Sequence, residues 1–227
     1  MLSLKRTESK ANDNYFYRRD NQLKGVLMNK LKILICIASA VIMATITGCG
    51  STSDEKIYEQ FLNDELELDG KTFSEIFSFM QEDFDTDPIA FYYDVDEDGK
   101  DELLVSTLFY GYNIYDVRDG KIVLLDCGDG TAAACGVYEG NGHVYVSHSD
   151  FSHSGRKLLD LTRYDKNGNV VETITINAEY WDSEEDVYDE NSDFTYNGQK
   201  ITMQEYEDYM NSYVFIDADS EKARPAQ

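Results

Sequence analysis

The segment Tyr92–Val105, YYDVDEDGKDELLV, carries the residue types best suited to bind a cation. Counted from Asp94 as position 1, carboxylates stand at positions 1, 3, 5 and 9, and Gly99 at position 6 permits a sharp bend. Calcium takes about six to eight hard oxygen ligands, including a backbone carbonyl at position 7 of such a loop. The spacing therefore predicts a calcium site built from five residues: Asp94, Asp96, Asp98, Lys100 (through its carbonyl) and Glu102.

Two features separate this segment from an EF-hand, in which a bidentate Glu occupies position 12 and a helix follows. Position 12 is Val105, and the residues after Gly99 alternate as in a strand. An Asp-x-Asp-x-Asp-Gly-x-x-Glu segment between strands resembles the calcium loops of FG-GAP and VCBS-type β repeats, here over residues 89–108. The resemblance implies that Glu102 completes the calcium shell in place of a twelfth-position acid.

A solvated acidic hairpin turn at Asp98-Gly99 is the alternative interpretation of the same residues. Six acids within nine residues repel one another, so a half-buried arrangement favours a bound cation. Magnesium suits the segment less well than calcium, because it keeps its waters and requires a stricter octahedron. We therefore expect structural calcium as the cofactor.

A second chemically active run is HVYVSHSDFSHS, in which histidines recur every five residues. On a strand this spacing places successive histidines on opposite faces, so they do not share one strand-borne metal site. His148, Asp150 and His153 can meet where the strand ends, which gives the alternative of a cell-wall or extracellular hydrolase. A polar turn is favoured, and no G-x-S-x-G, H-E-x-x-H, P-loop or Rossmann motif is present. We expect no catalytic residues.

A short apolar run near the N-terminus predicts export. Lys30 and Lys32 precede the uncharged segment Ile33–Ile46, which falls short of the ~20 residues that span a bilayer. The following Ile-Thr-Gly-Cys ending at Cys49 resembles the lipobox of bacterial lipoproteins, and Met28 fits the start of such a signal. The resemblance implies a Gram-positive type lipoprotein, lipidated at Cys49 and anchored to the outer face of the cytoplasmic membrane.

The charge balance limits the choice of partners. The chain has 44 Asp and Glu against 20 Lys and Arg, a net charge of −24. An acidic surface with no basic stripe repels phosphate backbones, so we expect no nucleic-acid partner. The expected partners are the lipid bilayer, through acylated Cys49, and a cell-surface protein or glycan. Trp181 and the many tyrosines are candidate aromatic anchors for the latter, although most aromatic residues fill strand faces.

Two cysteines remain in the predicted folded part. Cys127 and Cys135 bracket the loop GDGTAAA between strand-like runs. Outside the cytoplasmic membrane such a pair can form a disulfide, and two free thiols are the alternative.

The spacing of apolar residues predicts the helices and strands that position these side chains, and this spacing changes along the chain. Helical spacing covers Asp54 to about Leu68 and Thr72–Gln81, and a capping box opens a helix at Thr202. From Ile89, alternating strands are joined by short polar turns, which predicts an antiparallel meander forming a curved sheet or small sandwich. The predicted class is α+β. The predicted organisation is an extension and signal over 1–48, a lipidated tether over 49–53, one domain over 54–220 and a disordered tail over 221–227.

Together these features predict a membrane-anchored, calcium-stabilised binding or interaction module of unknown ligand. A hydrolase using His148, Asp150 and His153 is one alternative. A structural subunit of an envelope complex is the other.

Overall fold

The computed structural model describes residues 53–183 and 185–226. The predicted signal segment and Cys49 lie outside these residues. Within them are four helices and twelve strands. The helices are α1 (Ser53–Leu62), α2 (Phe73–Ile76), α3 (Ser78–Phe84) and α4 (Met203–Asn211).

The first helices are shorter than their periodicity predicts. Helix α1 ends at Leu62, and Asp64 adopts a left-handed φ of 60°. The Asp64 carboxylate accepts the Ser74 backbone N–H at 2.8 Å and the Ser74 hydroxyl at 2.6 Å, which ties the turn to the start of α2. Thr72 caps α2 through a reciprocal contact with Glu75, a capping box that was not predicted. Local side-chain bonds therefore divide the predicted helical region into shorter pieces.

The strands form two antiparallel sheets. The first has the order β12-β1-β2-β3-β4 and contains β1 (Ile89–Tyr93), β2 (Glu102–Ser106), β3 (Tyr112–Arg118), β4 (Lys121–Cys127) and β12 (Arg224–Pro225). The second has the order β10-β9-β8-β7-β6-β5-β11 and contains β5 (Ala134–Gly140), β6 (His143–Asp150), β7 (Arg156–Tyr164), β8 (Val170–Glu179), β9 (Asp193–Tyr196), β10 (Gln199–Ile201) and β11 (Val214–Phe215). The protein is thus mostly β with a few helices, which is compatible with the predicted α+β class.

Part of the C-terminal segment forms an edge strand. Arg224 and Pro225, which lie in the segment predicted to be a disordered tail, pair with Tyr92 and Phe91. The pairing joins residues more than a hundred positions apart, and no local pattern in the sequence signals it.

The core has three parts that follow from strand alternation. Leu104 and Ile114 of the first sheet pack with Val137 and Val146 of the second, so one cluster lies between the sheets. The opposite face of the first sheet presents Leu103 to the N-terminal helices, and Ile176 of the second sheet packs with Tyr206 of α4 in the third cluster. Because β1 and β2 are covered on both faces, the loop that joins them begins and ends at fixed, buried positions.

Candidate metal centre

The loop of residues 94–101 joins β1 to β2. Tyr93 and Glu102 are register partners, so the two ends of the loop lie side by side. Glu97 and Gly99 adopt left-handed φ values of 60° and 87°, which turn the chain back on itself. The carboxylate of Asp94 accepts the backbone N–H groups of Asp98 and Gly99, each at 3.1 Å. The loop is therefore folded around the Asp94 side chain.

Three carboxylates converge at the base of this loop. Oxygen atoms of Asp94, Asp96 and Glu102 all lie within 4.8 Å of one another. Glu102 is 2% exposed and Asp96 is 7% exposed. Glu102 Oε2 accepts the Val95 backbone N–H at 2.6 Å, which fixes the Glu102 side chain toward the loop. This arrangement supplies several oxygen donors to one point, as a hard divalent cation requires.

The convergence of these carboxylates is electrostatically costly. Burial, together with the neighbouring carboxylates, raises the pKa of Glu102 to about 9 and that of Asp96 to about 6, and burial also raises the pKa of Asp94. Among residues 53–183 and 185–226, no Lys, Arg or His side chain forms an ion pair with any of the three. The nearby cations have other partners, since Lys100 pairs with Asp54 at 2.9 Å and Arg118 with Asp116 at 2.6 Å.

The structure brings together three of the four side chains that the spacing singles out. Asp98 stays outside the converging group, and its Oδ1 accepts the Lys100 backbone N–H at 2.8 Å. Lys100 directs its ammonium group away from the loop toward α1. Asp116 on β3 was not predicted, yet its charge raises the pKa of both Asp96 and Glu102. Only the pairing of β2 with β3 places Asp116 beside Glu102, so no motif reveals it.

The histidine run does not form a proton relay. The fully buried Asp150 accepts from His153 Nδ1 at 2.7 Å and from Arg156 Nε at 2.7 Å. The Ser152 hydroxyl lies 3.4 Å from the same Nδ1 atom. A serine-activating histidine uses one ring nitrogen for the acid and the other for the serine. His148 lies elsewhere, against Asp126 at 3.3 Å.

Cys127 and Cys135 are free thiols in the structure. Cys135 is buried and Cys127 is half-buried. Burial raises the pKa of both thiols, and it does so most strongly for Cys135. Of the two alternatives that the sequence leaves open, the structure has the free thiols.

Trp181 lies on the surface with 61% of its area exposed. Its indole ring covers Gly155, and the Arg156 guanidinium lies 6.0 Å from the ring centroid. The indole N–H points to Glu179 Oε2 at 3.3 Å. The ring is thus held in one orientation, with much of its surface open to solvent.

Comparisons with protein-family models, with curated proteins and with solved structures found no match for this chain. No helix among the described residues is long and apolar enough to cross a membrane.

Proposed function

We propose that the chain is a lipid-anchored extracytoplasmic binding module whose first hairpin is held by a calcium ion. The observation that carries the proposal is the convergence of Asp94, Asp96 and Glu102 without a cationic partner among the described residues. Calcium offsets the mutual repulsion of such carboxylates and accepts oxygen ligands from them. These three side chains would hold the ion, which would supply positive charge to a carboxylate group that has no ion-pair partner among the described residues.

The role assigned to calcium is structural. The converging carboxylates lie beside buried β-strands, and Glu102 itself begins β2. An ion that binds only the folded state stabilises it by about 2.7 kcal/mol at 100 times its dissociation constant. Calcium would therefore stabilise the hairpin on which the packing of the N-terminal helices depends.

Thermal melting with increasing calcium tests this role. We expect the melting temperature of the wild-type chain to rise with millimolar calcium, and the rise to be lost in Asp96→Ala. Asp83→Ala, which removes an exposed aspartate on α3, is the matched control and should respond as the wild type does. Failure of calcium to shift the wild-type melting temperature would contradict the proposal.

The anchoring part of the proposal depends on Cys49, which lies outside the described residues. It is supported by the basic residues, the short apolar run and the small residues before that cysteine. Mass spectrometry of the chain from bacterial membranes should find an acylated N-terminal Cys49. Cys49→Ser should leave the chain unacylated, and an unmodified Cys49 in the wild type would exclude the anchor.

The binding role is supported by the exposed and oriented Trp181 ring. Exposed aromatic rings stack on sugars and anchor protein partners. Since Trp181 is the only tryptophan in the chain, its fluorescence reports directly on occupancy of this surface. Peptidoglycan fragments and purified cell-surface proteins are the probes; an emission change with either supports the role, and no change with both contradicts it.

A further inference from the structure

A second group of metal-ligating side chains lies away from the acidic loop. It contains Asp126 on β4, Cys135 on β5 and His148 on β6. One donor atom from each residue, an oxygen, a sulfur and a nitrogen, lies within 4.8 Å of the other two. Cys135 and His148 are register partners in the second sheet, whereas Asp126 belongs to the edge strand of the first. The group therefore connects the two sheets.

The positions of these side chains are fixed by neighbouring groups. Tyr164 donates its hydroxyl hydrogen to Asp126 Oδ2 at 2.7 Å, while Asp126 Oδ1 accepts the Cys127 backbone N–H at 2.8 Å and faces His148. His148 Nε2 lies 3.3 Å from that Oδ1 and 3.1 Å from the Cys127 carbonyl oxygen. A single N–H on Nε2 thus faces two acceptors. The Tyr112 backbone N–H hydrogen-bonds the Cys135 sulfur.

The group is buried on one side and open on the other. Cys135 is 3% exposed, whereas the side chains of Asp126 and His148 are 13% and 31% exposed. An ion can therefore reach the donors from solvent on the histidine side. On the opposite side, the paired strands β5 and β6 hold the Cys135 sulfur in place.

We propose that Asp126, Cys135 and His148 bind a zinc-class divalent transition metal, with water in the fourth position. Thiolate, imidazole and carboxylate are the donors that zinc takes, whereas calcium takes oxygen alone. Metal–donor distances of about 2.0–2.3 Å give donor separations of roughly 3.3–3.8 Å in a tetrahedron. The observed histidine–aspartate separation of 3.3 Å already matches that range. On binding, the Cys135 thiol loses its proton to solvent, and His148 Nε2 gives up its hydrogen so that the neutral ring carries its hydrogen on Nδ1.

The contact from Tyr164 strengthens the proposal. Carboxylate ligands of metals are themselves held by hydrogen bonds, and loss of such a bond costs about 10- to 100-fold in affinity. Tyr164 supplies this bond to Asp126 without belonging to the donor group. It therefore offers a variant that weakens metal binding while leaving all three ligands in place.

Cobalt titration of the full chain in detergent, under reducing conditions, tests the site. We expect one cobalt ion per chain at this site, a near-ultraviolet sulfur-to-cobalt charge-transfer band, and displacement by zinc but not by excess calcium. Cys135→Ser should abolish the band, and Cys127→Ser is the matched control that should retain it. His148→Gln should weaken binding more than a hundredfold, whereas His153→Gln should leave it unchanged.

Tyr164→Phe keeps the test decisive if Cys135→Ser fails to fold. This variant should retain the band and bind cobalt about tenfold or more weakly. Absence of the band in the wild type would mean that His148 and Asp126 form only an ion pair, and it would overturn the proposal. A band that persists in Cys135→Ser but disappears in Cys127→Ser would also overturn it. The part of the chain before residue 53 is the same in every variant, so any cysteine in it does not contribute to the differences.

Discussion

The Glu102 carboxylate accepts the Val95 backbone N–H at 2.6 Å across the mouth of the β1–β2 hairpin. The contact joins the first residue of β2 to the loop and keeps a buried carboxylate directed toward Asp94 and Asp96. Without a cation, the same contact maintains an unfavourable concentration of negative charge. The stability of this hairpin should therefore depend on metal, pH and the charge of Glu102.

Neutralising Glu102 should have opposite effects on the stability of the metal-free protein and on its stabilisation by calcium. Glu102→Gln preserves an oxygen to accept the Val95 N–H but removes the titratable carboxyl group. In metal-free protein at pH 7, we expect urea unfolding to show about 1–3 kcal/mol more stability, because Glu102 must take up a proton to fold at this pH whereas the amide is neutral in both states. Calcium should stabilise the variant far less than the wild type. Glu67→Gln, at an exposed position, is the control and should change neither the metal-free stability nor the stabilisation by calcium. Equal stabilisation of Glu102→Gln and the wild type by calcium would argue against Glu102 as a ligand.

The pKa shifts predict the pH dependence of the metal-free protein. The folded-state pKa of Glu102, about 9, lies above its ordinary value of 4.5, so the folded state keeps a proton that the unfolded state has released. The contribution of Glu102 to the free energy of unfolding should therefore be highest below pH 4.5 and should fall as the pH rises toward 9. The slope is about 1.4 kcal/mol per pH unit for each retained proton. Urea titrations with chelator from pH 5 to 8 should show this fall, and saturating calcium should reduce it. Stability that rises over this interval with chelator would contradict the assignment.

The C-terminal strand should contribute measurably to stability. Arg224 pairs with Glu55 at 2.7 Å and with Asp101 at 2.7 Å through Nε, and its guanidinium lies 5.2 Å from the centre of the Tyr92 ring. Arg224 therefore joins α1, the acidic loop and β1. We expect Arg224→Ala to cost about 1–2 kcal/mol in urea unfolding, since each exposed ion pair contributes little alone but the network and cation–π contact add to it.

An exposed ion pair provides the control for Arg224. Lys200 pairs with Asp193 at 2.7 Å, and both side chains are more than 70% exposed. Lys200→Ala should cost less than about 0.5 kcal/mol. If the two substitutions had equal effects, the C-terminal segment would contribute no more than an ordinary surface pair.

The sequence predicts local features better than long-range ones. The capping box at Thr202 appears as predicted, and β7 and β8 are joined by a short polar turn of the kind predicted, because both features depend on contacts between residues close in the chain. The division into two sheets and the pairing of β12 with β1 join distant residues, so periodicity alone does not indicate them.

The same distinction applies to the two proposed metal centres. Asp94 and Asp96 lie in the loop that precedes Glu102, and the spacing of the three residues predicts that they converge. The charge of Asp116 acts on this group, and strand pairing alone brings Asp116 near it. The second centre draws Asp126 from one sheet and His148 from the other, so its members have no common motif.

Equilibrium dialysis with radioactive calcium tests the central claim most directly. The wild-type chain should bind one calcium ion, and Asp96→Ala should bind none at concentrations that saturate the wild type. Asp83→Ala should bind one ion, as the control for loss of an acidic residue. No calcium bound by the wild type at millimolar concentration, or one ion still bound by Asp96→Ala, would contradict a calcium site at Asp94, Asp96 and Glu102.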